Sequence, residues 1–367
     1  MSRSMKAKRL LTGALVLGLF AYGAVALKAL RPFLRVQPQG GQGCRLLEAP
    51  GLVGAEDMEF DHASGTLWIV AADRRADRTH RPRDGAVFRF RPGTDAAPQR
   101  VPVVGLPGEL RPHGMGLWRT PAGPSGAAAE LRLFTVQHGP AAESVEIFAI
   151  EASPSDAASP QLRHLRSVTS PSFISVNDVA PVGPDSFYAT NDHGRRPGLG
   201  FLFEDFLFLS NASIVFFDGS NARRVHGGLR YANGIWADRG GRFVLVAETL
   251  ADRIRVLARQ PDGSLTHVAQ HDIGTAPDNF AQDEQGGYWL GAHPAAIQFL
   301  RHAGNAALPS ASQALRFSLT ESGDLQQLRT AWQDDGRALS ASSVVASHGS
   351  TWVVGAVFAP GILVCSP

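Results

Sequence analysis

The sequence predicts an all-β chain folded as a six-bladed β-propeller around a central tunnel, and three observations lead there. A short unit, one or two polar residues leading through a turn into a β-rich strand, recurs six times. Glycine (39) and proline (24) are spread along 367 residues, which suits many tight turns between short strands better than long helices. The only two cysteines, Cys44 and Cys365, stand at the two ends of the presumed domain.

In the first unit, Glu56 and Asp57 lead through an Asp-His-Ala-Ser-Gly turn to a strand over 67–71. The second runs from His113-Gly114-Met115 to 131–136, its turn swollen by Pro-Ala-Gly-Pro-Ser-Gly-Ala-Ala-Ala. Asn177-Asp178 leads to 187–190, Asn233-Gly234 to 243–247, Asp278-Asn279 to 288–292, and Ser342-Ser343 to 352–356. Counted from 56, 113, 177, 233, 279 and 342, successive units are 57, 64, 56, 46 and 63 residues apart. A four-stranded blade needs ~40–50 residues, so these intervals allow one blade each plus loop insertions. Segments of period two at 86–90, 145–150, 214–217 and 254–257 supply further strands.

The strand before Cys365 and the one after Cys44 would share a blade, which closes the ring and removes an exposed edge. A disulfide between these cysteines is the natural reading in an exported chain. By chain-entropy arguments it contributes on the order of 4 kcal/mol or more.

Export is expected from the N-terminus. Arg3, Lys6, Lys8 and Arg9 precede an uncharged run over 10–27, closed by Lys28 and Arg31. Residues 1–27 therefore read as an apolar helix, either a cleaved signal peptide or a retained anchor that holds the chain to a membrane on its periplasmic or extracellular side. Residues 28–43, with two prolines and Gln-Gly-Gly-Gln-Gly, read as a linker, and 44–367 as the propeller domain. The formal charge is only +2, with much of the basic excess before residue 36, so no basic face suggests nucleic acid.

Equivalent positions of a propeller meet near one axis, so the unit heads should converge. Glu56, Asp57, His113, Asn177, Asp178, Asn233, Asp278 and Asn279 are nearly all oxygen donors. Calcium takes 6–8 oxygens, whereas zinc prefers imidazole and thiolate. A calcium site at the tunnel is the expectation.

With these residues in view, the chain resembles the paraoxonase/arylesterase family of calcium-dependent lactonases. The resemblance is carried by Gly54-Ala55-Glu56-Asp57-Met58-Glu59, Pro112-His113-Gly114, Ser175-Val176-Asn177-Asp178-Val179-Ala180, the stretch from Val182 to His193, Ala232-Asn233-Gly234-Ile235, Asp278-Asn279 and Gly291-Ala292-His293-Pro294. It implies two calcium ions. Glu56, Asn177, Asn233, Asp278 and Asn279 would hold a catalytic one, and Asp57, the Met115 carbonyl and Asp178 a structural one. It further implies a His113–His138 dyad, Asp192 and His293 lining the site, and an apolar wall of Tyr231, Val357 and Phe358.

The activity so implied is hydrolysis of lactones and aryl esters, with small hydrophobic substrates. Water would attack a calcium-polarised carbonyl, with His113 as general base and His138 as its relay. No Gly-x-Ser-x-Gly elbow is present to suggest a serine acyl-enzyme. The basic stretch 74–84 departs from the family in a region resembling its mobile active-site loop, and reads either as altered substrate access or as a solvated surface. Two other readings compete: a gluconolactonase-like sugar-lactone hydrolase, and a non-catalytic, calcium-stabilised binding propeller.

Overall fold

The computed structural model describes residues 22–78, 85–120, 129–139, 142–153 and 156–366. They form six sheets, and each innermost strand contacts the next around a closed ring. Blade 1 comprises Ala55–Asp61, Thr66–Ala71, Ala86–Phe90 and Gln99–Val101. Blade 2 comprises Pro112–Arg119, Leu131–His138, Glu143–Ser153 and Asp156–Thr169, with Val103–Val104 added in parallel at its edge. Blade 3 comprises Val176–Pro181, Phe187–Asn191, Ala212–Phe217 and Ala222–Leu229; blade 4, Ala232–Ala237, Phe243–Glu248, Arg253–Arg259 and Leu265–Asp272. Blade 5 comprises Ala276–Gln282, Tyr288–His293, Ser312–Leu319 and Leu325–Asp334.

Blade 6 joins the chain ends. Ser342–His348, Thr351–Ala356 and Ile362–Cys365 are completed by Cys44–Leu47, paired antiparallel with Cys44 opposite Cys365. The disulfide forms between those two residues, as the sequence suggests.

The inner strands of blades 3, 4 and 5 are buried at nearly every position, while the outer strands are mostly part-exposed or exposed. The reason is that each blade is sandwiched between two others. The six principal apolar clusters lie one at each junction: Phe60 and Ile69 meet Val344 and Val353 between blades 1 and 6, and Phe134 and Val136 meet Phe187 and Val215 between blades 2 and 3. Period-two alternation is thus lost where the site is built.

Every inner strand also slips register at its head, between Ala55 and Asp57, Pro112 and Met115, Val176 and Val179, Ala232 and Ile235, Pro277 and Phe280, and Ser342 and Val344. A bulge re-aims side chains. The polar heads of all six units lie inside these slips. In this register the fifth unit is in phase at Asp278, one residue before the count from Asn279.

Residues 22–30 are helical, and the remainder of the apolar run lies outside the described residues. Among the described residues no helix is long and apolar enough to cross a membrane. In the segment before Cys44, Arg31 pairs with Asp252 and Gln39 exchanges two backbone hydrogen bonds with Gln333 of blade 5. The swollen turn over 121–128 and residues 79–84 of the basic stretch lie outside the described residues.

Candidate active site

The slipped heads of four blades deliver a cluster of buried oxygens to one end of the tunnel. Asn177 donates through Nδ2 to Asp192 Oδ2 (3.3 Å), Asn233 through Nδ2 to Thr249 Oγ1 (3.1 Å), and Asn279 through Nδ2 to the Glu56 carbonyl (3.2 Å). Asp278 accepts at Oδ2 from His293 Nε2 (2.8 Å). Each side chain is therefore tied by one end. The other ends, Asn177 Oδ1, Asn233 Oδ1, Asp278 Oδ1 and Asn279 Oδ1, are buried without a hydrogen-bond partner. Orphaned buried oxygens are costly and rare, and four in one cluster with Glu56 form a donor set that fits calcium.

Glu56 anchors this layer. Burial raises its carboxyl, but His113 and Arg74 beside it outweigh that effect and bring it down to about 2, so it is ionised. Burial pushes Asp278 up to about 6 despite the opposing hydrogen bond from His293. A cation would relieve that cost.

Directly below, Asp57 and Asp178 form a second layer. Asp57 accepts from the Met58 and Met115 amides (2.8 and 2.7 Å), Asp178 from those of Val179 and Ile235 (2.7 and 2.8 Å). Gly114 makes room for Asp178, whose Oδ1 would lie 2.1 Å from a Cβ there, and Gly234 does the same for Asn279. Burial pushes both acids well up, and the charges of Asp178 and Glu56 push Asp57 further. Met115 meets this layer through its amide N–H.

The predicted histidines form a chain. His113 Nε2 is 3.1 Å from Glu56 Oε1, His113 Nδ1 is 2.6 Å from His138 Nε2, and His138 Nδ1 is 2.7 Å from Glu143 Oε2. The carboxylates at both ends only accept, so the outer ring nitrogens must carry hydrogens. The central contact then holds one further proton shared by two imidazoles. Burial and Arg74 lower the basicity of His113, against the opposing pull of Glu56. Glu143, absent from the sequence-derived site, lies on the third strand of blade 2, away from any unit head.

Asp192 departs from its expected place. It lies behind Asn177 as an orienting group, accepting also from Ser175 Oγ (2.5 Å) and bonded to His193 Nδ1 (2.7 Å), rather than lining the cavity. His293 does line it, through Asp278. The cavity measures about 1120 Å³ and is bounded by Glu56, His113, Asn177, Asn233 and Asp278 at its floor. Tyr231, Val357 and Phe358 form part of its apolar wall, as the resemblance implies. Arg74 turns inward to Glu56 Oε2 (3.3 Å) and the Pro112 carbonyl (3.2 Å), while Arg75 lies over the Phe358 ring. The start of the basic stretch thus faces the cavity instead of water.

A closed six-bladed propeller with a polar, oxygen-lined tunnel mouth under an apolar cavity defines the class. Solved structures share that fold: a luciferin-regenerating enzyme (TM-score 0.52, 12% identity, 89% of this chain and 96% of that one) and a gluconolactonase from Xanthomonas campestris (0.51, 16%, 88% and 89%). The arylesterase family profile matches residues 108–366, and the chain belongs to that family. Among curated relatives, serum paraoxonase/arylesterase 1 of Rattus norvegicus is 30% identical over 227 residues and serum paraoxonase/arylesterase 2 of the same species 33% over 228. Each alignment spans 62% of this chain and 62% of the relative, less than two thirds of the relatives' length. Glu56 and Asp57 precede the matched span, and the ring closure brings them to the other heads.

Proposed function

We propose that this chain is a calcium-dependent hydrolase of carboxylic esters and lactones, with small hydrophobic substrates held in the cavity above the tunnel. The observation that supports it most is the set of four buried, unpartnered side-chain oxygens around ionised Glu56. Glu56, Asn177, Asn233, Asp278 and Asn279 would hold a catalytic calcium, and Asp57, the Met115 carbonyl and Asp178 a structural one. When bound, the catalytic ion supplies Lewis-acid polarisation of the substrate carbonyl and of its developing negative charge.

The chain's own residues do the rest. Once the hydrogen on Nε2 that faces Glu56 has left, His113 takes a proton from the attacking water at that nitrogen, and the proton on its Nδ1 passes to His138 Nε2. Glu143 keeps the far nitrogen of His138 protonated and so orients that ring to receive it. Phe299, Val357 and Phe358 exclude water from one wall and favour an apolar acyl or aryl group. Export belongs to the same proposal, carried by the basic-then-apolar N-terminus and the Cys44–Cys365 disulfide.

The test is hydrolysis of phenyl acetate and of a lactone panel by the purified full chain, with and without chelator. Loss of both activities on chelation and recovery with calcium are expected. Unchanged turnover in chelator would sink the calcium mechanism, and a metal-binding chain without turnover would leave the binding propeller.

A further inference from the structure

The opposite end of the tunnel carries a second constellation. The turns that close the first hairpins of blades 5, 6 and 1 bring Glu284, His348 and His62 together, with one potential ligand atom of each within 4.8 Å of the others. His62 Nδ1 is 3.2 Å from His348 Nδ1, and Glu284 Oε1 is 2.6 Å from His348 Nδ1 and 3.8 Å from His62 Nδ1. Two imidazole nitrogens on one tetrahedral ion, with bonds of 2.0–2.1 Å, stand about 3.3 Å apart. The observed spacing matches.

The surroundings prepare His62 for such a role. Its Nε2 lies 2.9 Å from the Gln282 carbonyl, which only accepts, so Nε2 carries the hydrogen and Nδ1 presents a bare lone pair toward the other two groups. A ring N–H anchored on a backbone carbonyl is the usual support of a metal-binding histidine. Arg239 also donates to Gln282 O (3.4 Å), which fixes the carbonyl that anchors the ring. The two imidazoles are stacked on Phe60, and the Gly349 amide donates to Glu284. Gly65 leaves space for His348, whose Nε2 would lie 3.1 Å from a Cβ there. A tunnel-mouth cavity of about 370 Å³, lined in part by His62, gives an ion access.

We propose that His62, His348 and Glu284 form a binding site for a divalent transition-metal ion, zinc being the reference, that ties blades 5, 6 and 1 together at the tunnel mouth opposite the active-site cavity. Two neutral imidazoles and one carboxylate suit a borderline ion, and the single charged oxygen makes a poor calcium site. The proposal is independent of the hydrolytic reading. In the absence of an ion the same groups make a hydrogen-bonded cluster, His348 Nδ1–H donating to Glu284, and that is the alternative to be beaten.

The experiment is a titration of the full chain, in saturating calcium, with zinc by calorimetry and with cobalt by its visible absorption, alongside His62→Gln, His348→Gln, Glu284→Gln and His113→Gln. One equivalent of zinc is expected to lose affinity by at least about 100-fold in His62→Gln and His348→Gln, since even supporting groups are worth 10–100-fold. Glu284→Gln, on a part-exposed turn, should weaken it without disturbing the fold, and His113→Gln should bind as wild type does. Zinc should raise the melting temperature of the wild type but not of the two histidine variants. Equal zinc binding by wild type, His62→Gln and His348→Gln, loss confined to His113→Gln, or no zinc bound by the wild type would overturn the proposal.

Discussion

At the upper end of the tunnel the inner strands of blades 1, 3, 4 and 5 begin with Glu56, Asn177, Asn233, Asp278 and Asn279; at the lower ends of the inner strands of blades 1, 5 and 6 stand His62, Glu284 and His348. The upper oxygens are buried and several lack any partner, whereas the lower atoms face one another in partly exposed turns. The symmetry that gathers side chains at an axis is therefore neutral about chemistry. What differs is the local chain: a register slip at each strand head aims buried amides inward, and a hairpin turn at each tail presents whatever residue it carries. One end suits a hard ion held by oxygens, the other a softer ion held by imidazole.

The largest effect that separates the two ends is expected at Glu56. Glu56→Gln removes the ionised carboxylate of the upper layer and the partner of both His113 and Arg74. Ester hydrolysis should fall at least about 100-fold, the scale of losing one electrostatic element of a catalytic site, and calcium affinity should fall with it. Zinc binding at the other end should stay. A variant that kept calcium affinity and turnover would show that the upper oxygens are not the metal site.

His113→Gln comes next and divides binding from chemistry. Loss of a general base costs about 10²–10⁴-fold in turnover, while calcium affinity should remain, because none of the unpartnered oxygens depends on the imidazole. A parallel loss of calcium would make His113 a structural support of Glu56 instead.

Asp57→Asn sharpens the upper end further, because its effect should change sign with calcium. With the ion present the variant loses a charged ligand and should be destabilised by about 3–5 kcal/mol, as for one partner of a buried charge cluster. In chelator it should melt at or above the wild type, since the repulsion between Asp57 and Asp178 is gone. The folded carboxyl binds its proton more tightly than at the ordinary value of 3.8. Stability from that proton is present below this value and lost as pH rises through the raised one. The chelated wild type should thus weaken toward neutral pH, and Asp57→Asn should flatten the slope in thermal melts. A lower melting temperature in both conditions would mean that no cation sits between the acids.

Much of the upper end was legible because its residues open units that recur in phase, and recurrence survives even where no single Asn or Asp is telling. The register slips and the space left by Gly114 and Gly234 were not, since both depend on the neighbouring blade. Asp192 lies one position past its strand's end, and sequence order alone does not show that it stands behind Asn177. Arg74 belongs to a stretch that reads either as altered substrate access or as a solvated surface, and sequence order does not show that it reaches Glu56. At the lower end His62 and His348 are visible in the sequence only as turn residues. The in-phase comparison made at the strand heads, applied to the strand tails, would have paired them.

Glu143 should give the smallest effect and the most specific one. It touches neither the oxygen cluster nor the cavity wall, and acts only through His138, whose Nδ1 it holds at 2.7 Å. Glu143→Gln keeps a hydrogen-bond acceptor but removes the charge that balances the proton shared by His113 and His138. If the dyad is what takes the proton in catalysis, turnover should drop by about 10-fold, with KM unchanged and the acid arm of the pH–rate profile shifted to lower pH. Glu143→Ala should go further, because His138 is then free to turn away from His113. An unchanged pH profile in both variants would confine proton transfer to His113 alone and reduce His138 to packing.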